Sequence, residues 1–143
     1  RLAKKESRNV VLSGFDANPH IVDYAKNNSK IFSNISFQSI NVFSKEFKDQ
    51  KFDIVLATLF THHFTDAELV VLFSDLKKQA KSIIINDIHR HSLAYHSIRF
   101  LTKLFSRSAM VRFDAPLSVL RAFSKNELKD ILQRAGITDF SFN

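Results

Sequence analysis

The sequence predicts an α/β fold, a doubly wound and mostly parallel sheet with helices on both faces. Short apolar runs alternate with segments of helical periodicity, which indicates βαβ units joined by right-handed crossovers. The runs over 10–15 and 52–59 are apolar almost throughout, as is typical of parallel strands that are buried on both faces. Each run leads into polar residues, and ligands bind at the carboxyl ends of the strands in such sheets.

The first half of the chain is predicted to alternate strand and helix. Asn18 can cap a helix and Pro19 suits its first turn, while Ile21, Val22 and Ala25 give that helix an apolar stripe. The predicted elements are the end of a helix over 1–8, a strand over 10–15, a helix over 19–29 and two strands over 35–40 and 52–59.

The second half continues the alternation. Ser124 and Glu127 have the spacing of a capping box for a last helix, and Gly136 suits the position just after its end. Pro116 is expected to break regular structure over 113–119. The other predicted elements are a helix from Thr65 or Asp66 to about Lys81, a strand over 82–87, a helix over 92–105 and a final strand that begins within 137–142.

Length and composition predict a single globular domain. A chain of 143 residues, of which 45% are hydrophobic, is long enough to bury a core. The absence of cysteine excludes disulfides, thiolate nucleophiles and cysteine-based zinc sites. No apolar run approaches the roughly 20 residues that span a bilayer, and no secretory signal opens the chain. A cytoplasmic location is therefore expected.

The charge of the chain raises the question of nucleic-acid binding, because the formal net charge is +7. The basic residues are scattered and form no dense block, so a nucleic-acid partner is not expected. The 15 phenylalanines have no polar group, and they are expected to fill a core or to line an apolar pocket.

Glycine is unusually scarce. The chain has two glycines, Gly14 and Gly136. A nucleotide-binding domain needs glycines where its first turn wraps a phosphate or a carboxylate, and neither residue is in such a turn. The predicted fold is therefore incomplete at its N-terminus, and the chain is interpreted as one partial domain over 1–143.

Two segments carry a resemblance to a known family. Between Val11 and Ala25, a strand with a glycine ends at Asp16 and is followed after four residues by a hydrophobic pair. Over 52–64, a second strand runs into a loop with two adjacent histidines. This order and spacing resemble the class I S-adenosylmethionine-dependent methyltransferases, in particular their small-molecule and quinone-type members. The resemblance implies a Rossmann-like fold and S-adenosylmethionine as the cofactor, with the glycine-rich loop of the family missing.

The resemblance also implies a set of cofactor contacts. In the family, an acid at the position of Asp16 binds both ribose hydroxyls, since a carboxylate offers two acceptor oxygens to a vicinal diol. A polar residue after the next strand meets the adenine amino group, and Asn41 stands there. The implied cofactor-binding residues are Phe15, Asp16, Ala17, Asn41, Val42 and Thr58.

A second implied set faces the methyl acceptor. A histidine near the transferred methyl can act as a base, because imidazole titrates in the range that suits a phenol or an enol. The loop after the fifth family strand also faces the acceptor, and the helical segment 90–123 is implied as an acceptor-binding lid. The implied catalytic residues are His62, His63 and His89, and the implied acceptor-binding residues are Asp87, Arg90 and Tyr95.

The resulting functional hypothesis is O-methylation of a small, aromatic or polyketide-like acceptor. Two alternatives stay open: a non-catalytic Rossmann-like module with a basic surface for RNA or a protein partner, and a dehydrogenase, to which the paired-histidine loop is foreign. A zinc or iron site is disfavoured because Asp87 is the one acid near the histidines, so no metal is expected. The oligomeric state is open, and a homodimer is compatible with the sequence. The histidines weighed as metal ligands are His62, His63, His89 and His91.

Overall fold

The computed structural model describes residues 9–142, so the predicted helix over 1–8 lies outside the described residues. The chain divides into two compact units, Arg1–Gln50 and Lys51–Asn143. Each unit contains one pair of parallel strands with helices. The predicted combination of parallel strands and alternating helices is therefore present in both units.

The first unit is a βαβ arrangement followed by a short helix. Its strands pair in parallel, with a register that runs from Leu12 opposite Ile35 to Asp16 opposite Ser39. Asn18 caps the first helix as predicted, because its side chain accepts a hydrogen bond from the His20 backbone N–H at 3.0 Å. The elements are β1 (Leu12–Asp16), α1 (Pro19–Ser29), β2 (Ile35–Ser39) and α2 (Lys45–Lys48).

Gly14 is required by a close approach inside this unit. It pairs with Phe37 across the two strands. A Cβ atom at Gly14 would lie 2.5 Å from Cδ1 of Phe37, which is closer than atoms in contact can come. The aromatic ring therefore occupies the space that any larger residue at this position would need.

The second unit pairs β3 (Phe52–Thr58) with β4 (Ala80–Asn86) in parallel and packs helices against them. Phe52 lies opposite Ala80 at one end of this pair, and Thr58 lies opposite Asn86 at the other. The core is formed mainly by α3 (Asp66–Gln79) and α6 (Lys125–Arg134), through buried residues that include Leu69, Phe73 and Ile131. The elements are β3 (Phe52–Thr58), a 3₁₀ turn (Thr61–His63), α3 (Asp66–Gln79), β4 (Ala80–Asn86), α4 (Ser92–Phe105), α5 (Ala109–Arg121) and α6 (Lys125–Arg134).

The predicted interruption at Pro116 is wrong. Residues 109–121 form one helix, α5, with Pro116 inside it. Ser108 caps this helix by accepting a hydrogen bond from the Val111 N–H at 3.4 Å. Pro116 and Val119 are buried, and α5 packs along α4. Tertiary packing thus offsets the roughly 3 kcal/mol that a proline costs inside a helix.

The predicted strand within 137–142 is also wrong. Gly136 ends α6 as expected, with a φ of 77°. The Gly136 N–H donates to the Gln133 carbonyl and the Ile137 N–H to the Leu132 carbonyl, both at 2.9 Å, which is the Schellman pattern. Beyond Ile137 the backbone forms no ladder with another described strand. An apolar run becomes a strand only when a neighbouring strand supplies hydrogen bonds.

Candidate functional site

The carboxyl edge of the first unit presents Asp16. This residue ends β1, and its register partner Ser39 ends β2. Oδ1 of Asp16 accepts a hydrogen bond from the Asn18 N–H at 2.7 Å, and the side chain is exposed. Among residues 9–142, no hydrogen bond reaches the other carboxylate oxygen. Asp16 therefore helps to start α1 and keeps one oxygen available to a ligand.

Asn41 lies at the same edge, two residues after β2. Its Oδ1 accepts a hydrogen bond from the Phe43 N–H at 2.9 Å, and its carbonyl accepts one from the Ser44 N–H at 2.9 Å. The side chain is exposed and Val42 is half-buried. The side-chain oxygen of Asn41 thus stabilises a turn, while no described residue accepts a hydrogen bond from its side-chain nitrogen.

Phe15 and Ala17, on either side of Asp16 in the sequence, differ in burial. The half-buried Phe15 ring meets the Phe47 ring edge-on, with a centroid distance of 5.3 Å. Ala17 is exposed, and its carbonyl accepts a hydrogen bond from Ser39 Oγ at 3.4 Å. The contact between Phe15 and an adenine stays a prediction, since its ring already packs within the unit.

In the second unit, the backbone turns sharply where β3 ends. Thr58 is exposed, and Leu59 adopts a φ of 50°, in the left-handed region. For a residue with a Cβ this conformation costs roughly 1–2 kcal/mol. Leu59 is 56% exposed, and its N–H donates to the Asn86 carbonyl at 2.9 Å. Backbone strain of this kind concentrates at functional sites.

The carboxylate of Asp87 organises the loop that follows. Asp87 comes directly after β4, and both of its oxygens accept hydrogen bonds from protein groups. Oδ1 accepts from the Ile88 N–H at 2.7 Å and lies 2.6 Å from Nδ1 of His62. The donors to Oδ2 are the N–H groups of Phe60 (3.0 Å), Thr61 (2.6 Å) and His62 (3.3 Å), and Oγ1 of Thr61 (2.5 Å).

These hydrogen bonds fix the charge of Asp87. Burial by itself would raise the pKa of the Asp87 carboxyl. Hydrogen bonds from the Thr61 hydroxyl, the His62 ring and the Ile88 N–H outweigh burial and hold the pKa at about 2. Asp87 is therefore a carboxylate at neutral pH. The predicted contact between Asp87 and an acceptor stays a prediction, because its oxygens are engaged within the protein.

His62 is oriented by this carboxylate. The two side chains are only 6% and 8% exposed. A carboxylate accepts but cannot donate, so Nδ1 of His62 carries the hydrogen of this bond, and in the neutral ring the lone pair is on Nε2. No hydrogen bond to Nε2 occurs among the residues that the structure describes. The arrangement is that of an oriented base.

His63 lies beside His62, with ring centroids 4.2 Å apart. Partial burial, and then the charge that His62 carries when it is protonated, lower the pKa of His63 below its usual value of 6.5. The neutral form of His63 thus dominates at neutral pH. The 3₁₀ turn that carries both histidines contacts α5.

The remaining predicted residues lie where the chain enters the α4–α5 pair. His89 forms a parallel bridge with Phe123, and the Arg90 guanidinium forms an ion pair with Glu127. Tyr95 is half-buried on α4, and its hydroxyl accepts a hydrogen bond from Arg99 at 3.4 Å. The structure thus groups Asp87 with His62 and His63, and ties Arg90 to the start of α6.

Two contributors were missed by sequence reasoning. Thr61 is 2% exposed and donates to Asp87 through both its backbone and its hydroxyl. Glu127, expected only in a capping box, also binds Arg90. The position of Thr61 directly before the histidine pair is the one local feature of the sequence that could have indicated its role. No local feature indicates that Glu127 binds Arg90. Among residues 9–142, no group of three or more histidine, aspartate or glutamate side chains is placed to hold a metal ion.

Parallel strands alternate with helices, and polar residues follow those strands. These features define a nucleotide-type α/β protein. A family model described as a methyltransferase domain matches residues 1–136. The chain belongs to this methyltransferase-domain family, in agreement with the predicted class I membership. No curated protein matches the chain by sequence.

Two solved structures show the same fold. The plantazolicin methyltransferase BpumL, solved with a pentazolic desmethylPZN analog and SAH, shares 18% identity at a TM-score of 0.65. A candidate O-methyltransferase from Nostoc punctiforme shares 15% identity at a TM-score of 0.60. The matches cover 92% and 96% of this chain but only 48% and 41% of those chains. The predicted Rossmann-like α/β fold is confirmed, and the chain spans less than half the length of these relatives.

Proposed function

We propose that the protein is an S-adenosylmethionine-dependent methyltransferase that methylates a hydroxyl group of a small aromatic or polyketide-like molecule. Membership in the methyltransferase-domain family supports methyl transfer. The pairing of His62 with the Asp87 carboxylate carries the hydroxyl part of the proposal, because a hydroxyl must lose a proton on methylation.

The edge of the first unit suits the nucleoside portion of the cofactor. Asp16 has a carboxylate oxygen without a described partner, and ribose hydroxyls are donors that such an oxygen accepts. Asn41 adds an amide on the same edge for the adenine. When bound, S-adenosylmethionine supplies an electrophilic methyl group on a sulfonium. Phe15, Ala17, Val42 and Thr58 remain proposed neighbours of the cofactor.

The histidine turn suits the acceptor. In the proposed reaction, Nε2 of His62 takes the hydroxyl proton as the oxygen is methylated. The Asp87 carboxylate holds the ring in one tautomer and stabilises the positive charge that the imidazole gains. His63 is a second base within the same turn, since its lowered pKa keeps it neutral. His89 is a third proposed proton acceptor.

The α4–α5 pair is the proposed acceptor-binding lid. It occupies most of the segment 90–123, and α5 contacts the histidine turn. The ends of the segment are joined by the bridge between His89 and Phe123 and by the Arg90–Glu127 ion pair. Arg90 and Tyr95 are proposed to contact the acceptor from this lid, whose apolar side chains suit an aromatic molecule.

Calorimetric titration of the intact protein with S-adenosylhomocysteine tests the proposal. The Asp16→Ala variant should bind about ten- to a hundredfold more weakly, because a hydrogen bond to a charged group contributes about 1.5–3 kcal/mol. Asp23→Ala, which removes an exposed carboxylate from α1, is the matched control and should bind as wild type does. Unchanged affinity in Asp16→Ala removes the ribose assignment, and no binding by the wild type favours a non-catalytic module.

A further inference from the structure

The geometry points to a membrane-docking surface at the tip of the α4–α5 hairpin. The hairpin tip is residues 104–113, the end of α4, the connecting turn and the first residues of α5. Its proposed partner is the surface of an anionic lipid bilayer. This inference goes beyond methyl transfer and does not depend on it.

The hairpin tip exposes an unusual amount of apolar surface. Five of its ten residues are large hydrophobic side chains that are between 40% and 75% exposed. Soluble proteins rarely expose adjacent large apolar residues unless the patch binds something. The five residues are Leu104, Phe105, Met110, Val111 and Phe113.

The charged residues within the hairpin tip are all basic, and the exposed Asp114 directly follows the tip on α5. Arg107 and Arg112 lie within the hairpin tip, and Arg99 and Lys103 precede it on α4. The segment 92–113 contains no aspartate or glutamate. Apolar side chains flanked by arginine and lysine are the composition of segments that enter the interface of an anionic bilayer.

The connecting turn holds the hairpin tip in shape. Arg112 Nε donates to the Ser106 carbonyl at 2.8 Å, and the Ser108 N–H donates to Ser106 Oγ at 3.2 Å. Ser108 in turn caps α5 through the Val111 N–H. The apolar side chains are therefore presented by an ordered turn, which reduces the entropy lost on docking.

The same features disfavour other partners. A second copy would bring two positively charged tips together, and like charges oppose such a contact. A nucleic acid would suit the basic residues but would leave the exposed Phe105 and Met110 side chains without an apolar partner. No described helix is long and apolar enough to cross a bilayer. The proposed docking places the hairpin tip, a turn between two helix ends, in the headgroup region.

Co-sedimentation of the intact protein with lipid vesicles tests this inference. We expect binding to phosphatidylcholine vesicles that contain phosphatidylglycerol, little binding to phosphatidylcholine alone, and weaker binding at high salt. The Phe105→Asp/Phe113→Asp variant should lose at least about tenfold in partition coefficient, because charged groups enter apolar surroundings poorly. Ile31→Asp is the control for an exposed apolar residue in the other unit.

The basic residues have their own control. The Lys103→Gln/Arg107→Gln variant should lose roughly fivefold for each charge removed. Lys125→Gln/Lys129→Gln removes the same charge from the exposed side of α6 and should bind as wild type does. Circular dichroism and thermal unfolding establish that each variant is folded.

Three results would overturn the inference. The first is equal binding to vesicles with and without phosphatidylglycerol, or to neither. The second is equal binding by the tip variants and their controls. The third is a concentration-dependent dimer in sedimentation analysis that Phe105→Asp/Phe113→Asp abolishes, because the tip would then bind a second copy of the chain.

Discussion

Nδ1 of His62 lies 2.6 Å from Oδ1 of Asp87, and the same carboxylate binds three successive backbone N–H groups of the loop that carries the histidine. Position and orientation of the imidazole are thus set by one acid. Because Asp87 follows β4 and His62 follows β3, the pairing of these two strands brings them together. Stability and proposed chemistry depend here on the same side chain.

Asp87→Asn should destabilise the protein at neutral pH. The amide has one acceptor oxygen where the carboxylate has two, so buried donors lose their partner at a cost of about 1–3 kcal/mol. Chemical denaturation followed by circular dichroism measures this loss. Asp23→Asn, at an exposed position on α1, should leave the free energy of unfolding near the wild-type value.

The same residue predicts a dependence of stability on acid. Its pKa is lowered on folding from 3.8 to about 2, so its ionised form stabilises the folded state. That contribution is complete above the unfolded pKa of 3.8 and is lost as the pH falls through about 2. The free energy of unfolding should therefore fall less for Asp87→Asn than for wild type between these two pH values. Parallel curves for the two proteins would contradict this prediction.

His62→Gln should lower the rate of methyl transfer by about 10²–10⁴-fold, which is the usual contribution of a general base. Affinity for S-adenosylhomocysteine should stay unchanged, because the proposal places His62 at the acceptor and not at the cofactor. The rate is measured as S-adenosylhomocysteine released with phenolic acceptors. His63→Gln is the matched control and should lose less, because no carboxylate orients His63 in the described residues. Equal losses in the two variants would show that Asp87 does not select the base.

Leu59→Gly should stabilise the protein by about 1 kcal/mol, because glycine adopts a positive φ without the clash that a Cβ produces. Leu59 is exposed, so little apolar burial is lost. Thermal unfolding measures the change. Leu56→Gly, at an exposed position within β3, should destabilise the protein instead. A lower melting temperature for Leu59→Gly would mean that its side chain has an essential contact.

Gly14→Ala should destabilise the first unit by about 1–3 kcal/mol, as overpacking does. The new methyl group would overlap the Phe37 ring. Replacing Phe37 by leucine in the same chain should recover part of the loss, and a double-mutant cycle measures the coupling. Ser13→Ala, at the adjacent exposed position of β1, should be nearly neutral. Absence of coupling between positions 14 and 37 would disprove the steric explanation.

The sequence by itself determined the local features of this protein. Asn18, the Ser124–Glu127 capping box and Gly136 all lie at helix ends as predicted, because a cap involves residues only a few positions apart. The alternation of strand and helix could also be predicted from the sequence, because side-chain periodicity is a property of each segment. Asp16 at the end of β1 followed from the same pattern.

Only the tertiary structure decided the features that join distant residues. Packing against α4 keeps α5 helical through Pro116, and the lack of a described partner strand leaves 137–142 without a ladder. The bonds of Asp87 to Thr61 and His62 cross 26 and 25 positions of sequence, respectively. They exist because parallel pairing places the ends of β3 and β4 side by side, and no local pattern encodes that register.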